Sequence, residues 1–134
     1  LKASKYHSRK TEVDGINFDS RSEAAYYLEL KAMKQSHLIR DFELQPRFVL
    51  QESFRKCPAC NHVQPSGNKC ERCQTKTVLH RPMVYVSDFL IWPHEGRPIV
   101  CDIKGRFMTD VFKIKQKLFE KRYPCLTIKI HVMT

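Results

Sequence analysis

Two aspartates and a lysine are the residues of this chain best placed to do chemistry. Asp88 and Asp102 interrupt apolar stretches, and each lies seven residues from Glu95, the middle of the turn-like segment Pro93-His94-Glu95-Gly96-Arg97. In a hairpin without a bulge the two would be directly opposed, with Cβ atoms about 5 Å apart on one side of a sheet. Like charges so opposed are destabilising, and a divalent cation reverses the sign of that interaction. Lys104 follows Asp102 by two residues and so projects from the same face. Two carboxylates and one ammonium suit metal-assisted phosphodiester hydrolysis. The carboxylates would hold Mg²⁺ (or Mn²⁺) through oxygen, and the lysine would orient or deprotonate the attacking water and offset transition-state charge. An isolated Asp-x-Lys more often ends a strand in solvent as an ion pair. The shared spacing about Glu95 and the apolar flanks favour the site here.

A second ligand set lies in residues 55–80. Cys57-Pro-Ala-Cys60 and Cys70-Glu-Arg-Cys73 are separated by nine residues, the spacing of a zinc ribbon. Each Cys-x-x-Cys can bind one ion from a tight turn, and four thiolates close a tetrahedral shell, so Zn²⁺ there would be structural. His62 and His80 are spare ligands should one cysteine be out of place. Lys56, Asn61, His62, Lys69, Arg72 and Lys76 could touch DNA; alternatively the ribbon only stiffens a long connection.

The elements that must position these residues are legible in outline. The length, 134 residues, suits one domain, with 55–80 as an inserted module and 1–11 as a basic arm. Residues 12–18 read as a hairpin turning at Asp14-Gly15. Ser20-Arg21-Ser22-Glu23 has capping-box spacing and opens a helix to about Gln35, with Ala24, Tyr27, Leu28 and the Tyr26/Leu30/Met33 row as apolar sides. Residues 39–51 are extended with a bend at Pro46; 83–92 read as one central strand; 99–104 return as another. Thr109 caps a second helix ending near Arg122, with Val111, Ile114 and Leu118 as its inward stripe and Phe107, Phe112 and Phe119 also assigned to the core. Alternation from Leu126 to Val132 gives a last strand. The expected class is α/β, an αβββαβ core with mixed sheet and flanking helices.

A net charge of +10, from 24 Lys and Arg against 14 Asp and Glu, favours a polyanionic partner. Lys113 and Lys117 on the second helix, with Lys5, Arg9 and Lys10 in the arm, are the expected phosphate contacts. No apolar run is long enough to cross a bilayer and no signal peptide opens the chain, so no membrane partner is expected and the reducing cytoplasm is the expected setting.

Asp88 followed by Asp102-Ile103-Lys104, with helical Glu23 before them, resembles the PD-(D/E)XK nuclease superfamily. The stretches YHSRKTEVDGINFDSRSEAAYYLELK, IRDFELQPRF, YVSDFLIW, VCDIKG and FKIKQKLFEKRYP are similar to a phage-borne branch associated with Holliday-junction resolvases, and also to the nuclease subunit TnsA of certain transposons. Ser87 stands where that pattern has proline. The resemblance implies a restriction-endonuclease-like fold and an Mg²⁺-dependent endonuclease acting on branched DNA as a homodimer, in a host cytoplasm if phage-borne. It makes Asp88, Asp102 and the Ile103 carbonyl metal ligands, adds Glu23 directly or through water, and assigns Lys104 to the attacking water. Glu23 also has a reading as the residue that closes the capping box begun by Ser20, a role compatible with metal binding, and Gln45 is a further candidate to approach the site from the first core strand. Other readings are a nicking or end-processing nuclease of phage or transposon DNA, and an inactive zinc-ribbon DNA-binding protein.

Overall fold

A computed structural model describes residues 10–105 and 108–132. In chain order the elements are β1 (Thr11–Val13), β2 (Ile16–Phe18), α1 (Arg21–Gln35), β3 (Asp41–Leu44), β4 (Arg47–Gln51), β5 (Phe54–Lys56), β6 (Val63–Gln64), β7 (Val78–His80), β8 (Met83–Val86), β9 (Phe89–Trp92), β10 (Ile99–Lys104), α2 (Asp110–Arg122) and β11 (Thr127–Val132). They divide into two compact units, one made by the chain up to Pro46 and from Ser87, the other by Arg47–Val86.

In the first unit a four-stranded mixed sheet has the order β11-β10-β9-β3. β9 pairs antiparallel with β3 and with β10, while β10 and β11 run parallel. A parallel neighbour needs a crossover, and α2 supplies it. With the β1–β2 hairpin and the second unit left out, the elements follow one another as α1, β3, β9, β10, α2 and β11, the mixed α/β order read from the sequence. Phe89, Ile91, Cys101 and Ile103 share one core with Ala24, Tyr27 and Leu30 of α1 and with Phe18 and Ile39. Alternation sends Leu90, Val100, Asp102 and Lys104 to the opposite face. The Lys104 ammonium there lies 4.4 Å from the Phe112 ring centroid of α2.

Local chemistry explains the helix ends. The Glu23 backbone N–H donates to the Ser20 hydroxyl at 3.1 Å, and Phe112 N–H donates to Thr109 Oγ1 at 3.1 Å, each satisfying a donor that the first turn leaves over. The β1–β2 turn uses left-handed backbone at Asp14 (φ 55°) and Gly15 (φ 76°), the geometry a tight hairpin requires. Asp14 also ties that hairpin to α1: Tyr27 Oη donates to its Oδ2 at 3.0 Å and Lys31 Nζ at 2.6 Å. No helix among the described residues is long and apolar enough to cross a membrane.

Several expectations are corrected. On α2 the buried residues are Phe112 and Phe119; Val111, Ile114 and Leu118 are exposed rather than inward. Both sets repeat at helical spacing, and the larger rings win the core because they bury more area. Leu28 is likewise exposed on α1. Residues 83–92 form two strands, β8 in one unit and β9 in the other, because the chain turns aside at Ser87-Asp88. Ser87 N–H donates to the Pro46 carbonyl and its hydroxyl to the Phe89 carbonyl, which fixes that break. Lys5, Arg9 and Phe107 lie outside the described residues; Lys10 is exposed, and Thr11 already belongs to β1.

The second unit is wider than residues 55–80, because β4 and β8 pair antiparallel and bring in both flanks. Beyond them lies a three-stranded sheet of order β6-β5-β7. Its interior is largely polar. Buried Gln64 donates to the Ser66 and Lys69 carbonyls and accepts from the Glu71 N–H, while Arg55 Nε donates to buried Thr77 at 2.8 Å.

Candidate active site and metal centre

The pairing of Cys101 with Phe89 has the register expected from the spacing about Glu95, and one step further along it stand Asp102 and Asp88. Asp88 lies just before β9, where the strand breaks, and the aspartates bridge that break themselves. The Asp88 N–H donates to Asp102 Oδ1 at 2.8 Å, and the Ile103 N–H donates to Asp88 Oδ2 at 2.8 Å. Side chains thus take over backbone groups that a continued ladder would have paired, leaving no donor stranded. Lys104 Nζ stands 3.9 Å from Asp102 Oδ2. Asp102 is 1% exposed, whereas the Lys104 side chain is 31% exposed, so the pair runs from the interior to the surface.

Glu23 comes from the first turn of α1 and meets Asp88 across a cavity of roughly 70 Å³ lined also by Asn17, Leu44 and Gln45. The Gln45 N–H donates to the Asp88 carbonyl at 3.0 Å, and Gln45 takes a left-handed backbone, φ 49°. For a residue other than glycine or asparagine that conformation costs on the order of 1 kcal/mol, and such strain gathers at functional sites. Its position beside Asp88 agrees with the approach suggested by the sequence, while the strain itself has no signal in residue type.

The site is short of positive charge. Burial pushes Asp88 up to about 6; the Asp102 charge adds to this, against the Ile103 N–H and Lys104. Burial pushes Glu23 up to about 7, with the charges of Asp88, Asp19 and Asp102 acting in the same direction. Acids whose folded pKa is raised hold their protons longer in the native state. Their burial therefore costs nothing below the unfolded pKa of about 4 and destabilises increasingly as pH rises through the folded values. Metal-free protein is expected to lose on the order of 4 kcal/mol of stability between pH 4 and pH 8 from these two groups, most of it from Asp88, with part-buried Glu23 discounted for screening. Denaturant titration across that range checks this; stability rising steadily to pH 8 would contradict it.

The second ligand set is tighter. Cys57, Cys60, Cys70 and Cys73 are free cysteines whose sulfurs all lie within 4.8 Å of one another, and among the described residues they are the sole group of three or more His, Cys, Asp or Glu side chains drawn so close. The Cys57–Cys73 and Cys60–Cys70 sulfur pairs are 3.4 and 3.5 Å apart. A tetrahedron with Zn–S bonds of about 2.3 Å has edges of about 3.8 Å, so four thiolates here could hold a zinc ion after a small outward shift. The two Cys-x-x-Cys turns repeat one design. Cys60 N–H donates to Cys57 Sγ and Arg72 N–H to Cys70 Sγ, both at 3.4 Å. Each turn closes on a left-handed residue directly after its second cysteine, Asn61 (φ 64°) and Gln74 (φ 65°). Thr75, through its hydroxyl and backbone, brings the Cys73 thiol down to about 6, while burial and the neighbouring sulfurs push Cys60 in the same cluster up to about 11. His62 instead lies 3.4 Å from Glu71, and His80 stacks on Phe54, so neither is part of the sulfur cluster.

The other predicted site residues are dispersed. Ile103 offers its N–H to Asp88 and buries its side chain on the α1 face. Lys113 and Lys117 are exposed on α2, and Lys10 is exposed before β1.

No curated protein and no solved structure matches the chain. One family does, over residues 3–134, and it is described as a protein of unknown function, DUF1064. With nearly the whole length matched, the chain belongs to the DUF1064 family.

Proposed function

We propose that the chain is a divalent-metal-dependent endodeoxyribonuclease with the restriction-endonuclease-like fold, acting on branched DNA. The observation that carries this reading is the cross-braced pair of Asp88 and Asp102, with Lys104 on the same face and Glu23 beside them. Accepting the two backbone N–H groups accounts for an oxygen on each aspartate but does not offset their mutual repulsion, whereas a bound cation does. Oxygen donors of this kind fit Mg²⁺ or Mn²⁺, held by Asp88, Asp102, the Ile103 carbonyl and Glu23. Such an ion would supply Lewis-acid stabilisation and a water of lowered pKa. Lys104 orients the attacking water and offsets the negative charge that develops on the phosphate.

The branched substrate rests on the sequence resemblance, as does a homodimer, since symmetric cutting of a junction needs two sites. The exposed row Val111, Ile114 and Leu118 supports a second copy there. Ile114→Glu is then expected to sediment as a monomer at concentrations where the native chain is a dimer; unchanged sedimentation would remove that surface from the proposal. Lys113 and Lys117, on the flank of this row, would lie along phosphates. Their double alanine variant should flatten the dependence of log K on log salt for duplex arms by roughly 1.8, and an unchanged slope would exclude them.

Substrate class is tested by presenting four-way junction, flap, linear duplex and single strand with Mg²⁺. Preferential cutting of the junction is expected. Equal cutting of every substrate would leave a nuclease but not a resolvase.

A further inference from the structure

The small sheet of the second unit has two unlike faces. Arg55, Gln64, Thr77 and Leu79 share one, where the hydrogen bonds of Gln64 and Thr77 gather. The other carries Val63, Lys56 and Val78 side by side across the three strands, followed by the directly paired Phe54 and His80. Val63 and Val78 are more than half exposed, and His80 is exposed too. The Phe54 and His80 rings stack at 4.6 Å with only 3° between their planes, and exposed His80 stands on the edge strand of the sheet. Lys76 keeps the strand parity of Val78 and His80, and its backbone forms an antiparallel β-bridge with that of Lys69, which places the two residues opposite each other. Like charges directly opposite are destabilising, which an anion between them would reverse. Seven Lys and Arg against two Glu lie between Arg47 and Val86, so the surroundings suit a polyanion.

We propose that this open face binds single-stranded nucleic acid, an unpaired base continuing the Phe54–His80 stack while Lys56, Lys69 and Lys76 hold its flanking phosphates. Aromatic platforms beside basic side chains are how unpaired strands are bound without regard to sequence. The inference does not depend on the nuclease reading, because nothing in it requires Asp88 or Asp102.

The test is fluorescence anisotropy with the full zinc-loaded chain in buffer lacking Mg²⁺, so that cleavage cannot intrude. Probes are labelled oligodeoxythymidylate, oligouridylate of equal length, and a blunt duplex. His80→Ala should weaken binding of the single strands about tenfold, His80→Tyr should keep it, and neither should alter duplex binding. The Lys69→Ala/Lys76→Ala variant should lower the single-strand salt slope by about 1.4. Unchanged zinc content in each variant shows that the unit has kept its fold. Comparing the two single strands tells DNA from RNA as the preferred source of the base. Single-strand affinity untouched by His80→Ala, or lost equally for duplex, would overturn the proposal. So would a change in sedimentation without a change in binding, since a second copy of the chain would then cover the face.

Discussion

Asp88→Asn is expected to make the metal-free protein more stable while lowering DNA cleavage on the order of a thousandfold. The carboxylate is held up to about 6 by burial and by Asp102, so at pH 8 its ionised form works against the fold. A rise from 3.8 to about 6 corresponds to roughly 2–3 kcal/mol. Asparagine keeps an oxygen for the Ile103 N–H, and its amide removes the charge that opposes Asp102 and supplies a donor in its place. Thermal or urea unfolding at pH 8, with and without Mg²⁺, checks the first half. The native chain should gain stability from Mg²⁺ and the variant should not. A variant less stable than the native chain, or one that still cleaves, would show that Asp88 is a structural residue.

Withdrawal of zinc, or Cys57→Ser or Cys70→Ser, should unfold the second unit and leave the first standing. That unit has 40 residues between Arg47 and Val86, and its buried apolar residues are few: Leu50, Tyr85 and the two buried cysteines themselves. A segment of about this size seldom holds together on apolar burial alone. Zinc bound by four thiolates contributes about 10 kcal/mol or more, coupled directly to folding. Hydrogen exchange after chelation should show the amides of β5, β6 and β7 losing protection while β9 and β10 keep theirs. Full protection of β5–β7 in zinc-free protein would refute a metal-braced ribbon.

The parts legible in the sequence are those set by local periodicity and turn chemistry. Seven residues on each side of Glu95 gave the β9–β10 register, since the two-residue period of a strand leaves little freedom once the turn is placed. Asp14-Gly15, Ser20 and Thr109 marked a turn and two caps because each supplies a backbone conformation or acceptor needed at that point. Long-range choices were not legible. MVYVSDFLIW is continuously apolar apart from Ser-Asp, so nothing local announces that its halves belong to different units. The pairing of β4 with β8 across more than thirty residues is equally silent. On α2 two apolar rows compete at the same period, and only the sheet beneath decides that Phe112 and Phe119 face it. Spacing about Glu95 set Asp88 opposite Asp102, whereas the approach of Glu23 from α1 to the cavity beside Asp88 depends on how the helix packs on the sheet, which no local pattern encodes.

The most direct test of the central claim is cleavage of a labelled four-way junction by the purified chain with Mg²⁺ or Mn²⁺, beside EDTA and the Lys104→Ala variant. Metal-dependent strand cutting that disappears with EDTA and with Lys104→Ala is the predicted result. Absence of cutting under any metal, by a chain shown to be folded and zinc-loaded, or cutting that survives in Lys104→Ala, would contradict an active site at Asp88, Asp102 and Lys104.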